Sequence, residues 1–104
     1  MTTPAQILSA VYQATGAEPD EIISKSRRHS VLFPRYIVLL LLRQSRPFFS
    51  EIELGQLIGI EGHGSTRHAL GKAKELLDQD QHFQIAHGKA TAILGDSLPT
   101  AASD

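Results

Sequence analysis

Seven consecutive residues, Ser24-Lys25-Ser26-Arg27-Arg28-His29-Ser30, interleave long cations with small hydroxyl side chains. Both kinds of group engage phosphate oxygens. A loop of this make-up suits a nucleic-acid backbone, and an arginine carried on it suits the negative potential of a minor groove. A second segment, Gly62-His63-Gly64-Ser65-Thr66-Arg67-His68, opens a stretch with helical spacing. Unpaired N–H groups and the positive helix terminus favour phosphate there, and first-turn side chains are those that a helix-turn-helix presents to base edges.

Other chemistries fit these residues poorly. His63 and His68 are not at the three- or four-residue spacing that puts two ligands on one helix face, so a zinc site is disfavoured. Gly59, Gly62 and Gly64 precede Ser65 and Thr66, but the lysine and the leading strand of a phosphate-binding loop are missing, which argues against a nucleotide. With no cysteine, thiol catalysis, disulfides and cysteine-based zinc fingers are excluded. Serine, histidine and acidic residues occur without a grouping that makes a nucleophile and its base. The residues predict binding without catalysis and without a cofactor.

Positioning these segments falls to helices. Thr3, Pro4 and Gln6 form a start signal and Gly16 a stop, with Ile7, Leu8, Val11 and Tyr12 on one stripe. A short helix is expected from Pro19, carrying Ile22 and Ile23 inward, followed by a basic loop at 24–30. A central helix is expected from Pro34 to Ser45, apolar on every side at 37–42 and stopped by Pro47. Ser50 and Glu53 have capping-box spacing, opening a helix with Ile52, Leu54, Leu57 and Ile58 inward and Gly59 at its end. Ser65 or Gly64 is expected to cap the next helix, with Ala69, Leu70, Ala73, Leu76 and Leu77 buried. A last helix spans residues 83–94. Helix, glycine turn, helix over residues 50–79 is a helix-turn-helix outline.

The 104 residues suffice for one domain, expected at 1–95 with a loose tail at 96–104. The longest aliphatic run falls far short of the ~20 residues that cross a bilayer, and the first residues lack a leader pattern, so a cytoplasmic location without a membrane partner is expected. Net charge is -1, yet no acid lies between Glu21 and Glu51, where Lys25, Arg27, Arg28, Arg35, Arg43 and Arg46 supply six of the ten basic residues. A phosphate backbone responds to that local field rather than to net charge.

Three blocks then bear on kinship: Ile22-Ile23-Ser24-Lys25-Ser26-Arg27-Arg28-His29-Ser30-Val31, Pro34-Arg35, and Gly59-Ile60-Glu61-Gly62-His63-Gly64-Ser65-Thr66-Arg67-His68-Ala69. With them the chain resembles, from about residue 7 to 94, the C-terminal DNA-binding domain of the bacterial replication initiator DnaA. The family pattern in the last block is Gly-x-Arg-Asp-His-Thr-Thr-Val-x-His-Ala. Gly59, His63, His68 and Ala69 match it, and Ser65 nearly does. The resemblance implies an all-α, compact bundle of five to six helices containing a helix-turn-helix, of the DnaA C-terminal and Trp-repressor-like kind. It implies double-stranded DNA as partner, with replication or regulatory proteins besides. By position it gives Arg27 a minor-groove role, His63 a base-edge role, and Lys25, Arg28, Arg35 and Ser65 backbone or flanking contacts.

The departures carry information too. Gly62 and Gly64 stand where the family has Asp and Thr readers, Glu61 replaces an Arg, and Thr66 and Arg67 replace apolar residues. Two lost readers, each worth ~1 to 3 kcal/mol of discrimination, remove strict DnaA-box preference. The expectation is a freestanding relative without an ATPase domain, binding DNA with a sequence bias. Lys25, Arg27 and Arg35 supply affinity; His63, Ser65, Thr66 and Arg67 supply selectivity, and Gly64 allows close approach. The competing expectation is a protein-interaction module on a degenerate helix-turn-helix, docking a partner through Phe48 and Phe49 if these are exposed rather than anchored in the core.

Overall fold

Local signals set the first helix. In a computed structural model describing residues 2–23, 29–60 and 63–95, with the side chains of 29–31 and 63 outside the description, α1 spans Pro4–Thr15. The Gln6 N–H donates to Thr3 Oγ1 at 3.2 Å and the Thr3 N–H to Gln6 Oε1 at 2.8 Å, closing the expected capping box. Gly16, at φ 82°, ends the helix by donating to the Tyr12 carbonyl. The single turn α2, Pro19–Ile22, follows. Ile22 is buried, but Ile23 lies just past the helix and is 41% exposed, so only one of the expected pair enters the core.

The central helix α3 runs His29–Ser45, one turn longer than its Pro34 suggests. His29 and Ser30, expected in the loop, already form its first turn. Proline inside a helix forfeits the bond to the carbonyl four residues back. Tertiary contacts offset that loss: Pro34 is buried, Phe33 meets Phe83 edge-on with centroids 4.9 Å apart, and Arg35 is tied to α2. Ile37, Val38, Leu39, Leu41 and Leu42 are fully buried and Leu40 half-buried, because α3 packs against every other helix.

The short α4, Glu51–Gln56, has the Ser50–Glu53 box, and its bonds hold the Glu53 carboxyl below the usual carboxylate range. α5, His63–Gln79, starts earlier than expected, so Gly64 and Ser65 sit within its first turn and do not cap it. α6, Gln81–Leu94, follows after one residue, Asp80, whose carboxylate accepts from the Phe83 N–H at 2.9 Å. All six elements are α-helical, and no strand occurs among the described residues. α1 packs on α2, α3 and α6, while α4 packs on α3 and α5. No helix among the described residues is long and apolar enough to cross a membrane. The expected tail at 96–104 lies outside the described residues.

Candidate nucleic-acid interface

Two features fix Ile22 and Ile23, the last described residues before the basic segment. The Ile22 carbonyl accepts a 2.8 Å bond from Arg35 Nε, reaching across from α3. Arg35 is only 8% exposed, and burial lowers its pKa while Tyr36 raises it. A guanidinium remains cationic under such a shift. The next carbonyl, that of Ile23, abuts the turn between α4 and α5: a Cβ on Gly59 would lie 2.9 Å from its oxygen. Gly59 also has φ 78°, so conformation and space both require glycine. Thus Ile23, the last described residue before 24–28, lies against the turn that follows α4.

The α4–α5 pair is close-packed for the same steric reason. A Cβ on Gly55 would collide with Thr66 Oγ1, and the Ile60 N–H returns to the Gly55 carbonyl at 2.8 Å. Thr66 is 0% exposed. This corrects its expected part in reading DNA: a side chain sealed against α4 does not reach a base edge, and its task is packing. Gly64, Ser65, Arg67 and His68 are exposed on the first two turns of α5, and a Cβ on Gly64 would meet nothing within 4 Å. The backbone there is open to an approaching ligand. The His63 backbone opens α5; its side chain, like all of Lys25, Arg27 and Arg28, lies outside the described residues.

Three cations of the acid-free stretch turn onto the protein itself. Besides Arg35, Arg43 Nη1 donates to the carbonyls of Pro47 and Phe49 at 3.3 and 2.7 Å. Arg46 donates to Ser45 Oγ at 2.8 Å and stands over the Phe49 ring at 5.8 Å. The six-cation face expected from charge counting is therefore reduced, since Arg35, Arg43 and Arg46 brace helix ends and turns. The turn that Arg43 braces splits the Phe pair. Phe49 packs against the core, and Phe48 is 97% exposed.

One residue at this face was not foreseen. Glu51, on the first turn of α4, accepts from Arg67 Nε at 3.1 Å through Oε1 and 3.4 Å through Oε2, with Arg67 Nη2 also 3.1 Å from Oε1. These bonds, and then the charge itself, raise the Arg67 pKa above its ordinary value. The pair spans sixteen residues, and no local pattern announces it. The only cue was Arg67 itself, a long cation near the start of α5.

The chain is 32% identical over 82 residues to the chromosomal replication initiator protein DnaA of Thermomicrobium roseum, a match covering 79% of this chain and 17% of that protein. The chain is a relative of DnaA. The Thermus thermophilus DnaA is likewise 32% identical over 82 residues, covering 78% of this chain and 18% of the protein, and the Aliarcobacter butzleri DnaA is 29% identical over 79 residues, covering 76% and 18%. The chain thus spans about a sixth of the length of the curated DnaA proteins it matches, the extent of a single domain. No family model and no solved structure matches it. Within the DnaA-like stretch lie Arg35, the Gly55 and Gly59 contacts and the exposed first turns of α5.

Proposed function

We propose that this chain binds double-stranded DNA, without catalysis, through one face made of residues 24–28 and the first two turns of α5. The observation that carries the reading is the close approach of the Ile23 carbonyl to Gly59, which sets the last described residue before the basic segment against the turn that follows α4. Lys25, Arg27 and Arg28 supply phosphate or minor-groove contacts; His63, Ser65 and Arg67 face base edges; Gly64 lets the backbone approach. Arg35 supports them by holding the α2 end. Similarity to proteins named as chromosomal replication initiators supports a role in replication initiation or its regulation. Loss of side chains at Gly62 and Gly64 makes the preference a bias rather than a strict code.

Fluorescence anisotropy on labelled duplexes tests this. Three phosphate contacts predict an affinity that falls about fortyfold between about 50 and about 200 mM salt. Arg27→Ala should weaken binding to every sequence and flatten the salt dependence, while His63→Ala should change sequence preference with little effect on that dependence. No binding at low salt would refute the reading. The almost complete exposure of Phe48 favours a second reading, in which the fold docks a protein. A failed DNA titration together with a larger species in light scattering would select it.

A further inference from the structure

The Glu51–Arg67 pair places a carboxylate within the face just assigned to DNA. Arg67 has the most exposed guanidinium described there, its side chain being 74% exposed, whereas Glu51 is 27% exposed. Nε and Nη2 both point at the carboxylate, so the pair fixes the direction of the guanidinium plane and leaves Nη1 outside it. A carboxylate at this distance occupies the position that a phosphate oxygen takes on an arginine. A phosphate that takes the Nε–Nη2 edge of Arg67 must displace Glu51, and one that approaches Nη1 meets the charge of the carboxylate beside it. A surface pair is nonetheless weak and opens readily. The arrangement obstructs indiscriminate contact while permitting one whose geometry is good enough to compete, such as a bidentate base edge.

Resting on the duplex-binding reading above, we propose that Glu51 is a specificity-determining residue that, by holding Arg67, withholds one cation from non-specific phosphate contact. Its role is positioning and competitive, acting through Arg67. Glu51 and Arg67 together therefore set the ratio between preferred and random DNA, whereas residues 24–28 set overall affinity.

The test compares the full chain with Glu51→Gln on two probes: a pool of random-sequence 20-base-pair duplexes, and the duplex that the unaltered chain selects most tightly from that pool. Glu51→Gln should bind the random pool about threefold to tenfold more tightly at about 50 mM salt. One extra phosphate contact should cut that advantage about threefold on going to about 200 mM. The selected-to-random ratio should narrow. In the Arg67→Ala background, Glu51→Gln should give at least about threefold less gain, because the freed cation is absent. A gain equal in both backgrounds overturns the proposal, as does an unchanged salt dependence. Weaker binding with a lowered melting temperature would make Glu51 merely structural and overturn it too. If neither chain binds the random pool at low salt, the duplex-binding reading falls first and this inference falls with it.

Discussion

Gly59→Ala is expected to destabilise the protein by about 2 to 4 kcal/mol, combining left-handed strain with a forced contact. At φ 78° an alanine adopts a conformation that costs L-residues energy, and its Cβ would meet the Ile23 carbonyl oxygen at 2.9 Å. Backbone cannot swing aside as a side-chain tip does, so relief requires the α2 end to move away from the turn. Residues 24–28 move with it. Affinity for duplex DNA should therefore fall even at temperatures where the variant is folded. Gly16→Ala provides the comparison: its φ is 82°, yet nothing lies within 4 Å of the added Cβ. Urea denaturation should show Gly16→Ala losing only the strain, about 1 to 2 kcal/mol, with DNA binding intact. Equal losses for the two variants, or unaltered DNA binding by folded Gly59→Ala, would contradict this account.

Arg35→Ala is the second large effect, expected at about 2 to 3 kcal/mol, because it leaves the buried Ile22 carbonyl without its charged donor and opens the packing around α2. Arg35→Lys should not restore it, since an ammonium on a flexible stem does not reproduce the Nε–H direction. The DNA titration separates two roles for this residue. As a brace, Arg35 affects affinity only through the position of residues 24–28, so the alanine variant binds more weakly with an unchanged slope of log affinity against log salt. As a phosphate contact, its removal would reduce the slope by about 0.9. The unchanged slope is the expected result.

How far the sequence revealed these features depended on the distance over which each is determined. The ends of α1 and the start of α4 were readable because Thr3 with Gln6, and Ser50 with Glu53, act within one helical turn. The all-α architecture followed from such caps and from the apolar spacing between them. The start of α3 was misplaced because the support that carries it past Pro34, from Phe83 and Ile22, comes from distant parts of the chain. Thr66 was within reach: extending the buried stripe of Ala69, Leu70 and Ala73 back by one turn places it inside, as the structure does. Arg35, Arg43 and Arg46 were not, since a cation that faces solvent and one that faces a carbonyl look alike in a sequence. Glu51 was obscured in the same way, being an ordinary first-turn acid until α5 brings Arg67 against it.

If residues 24–28 and the start of α5 form one DNA-facing surface, both should respond together to bound duplex. Amide NMR shifts recorded on the full chain while a 20-base-pair duplex is titrated in report on this residue by residue. Changes should concentrate at Lys25, Arg27 and Arg28, at Gly59, and from His63 to His68, with the outer faces of α1 and α6 around Gln13 and Ile93 left unaltered. Changes centred on α1 and α6, or confined to only one of the two predicted segments, would contradict it.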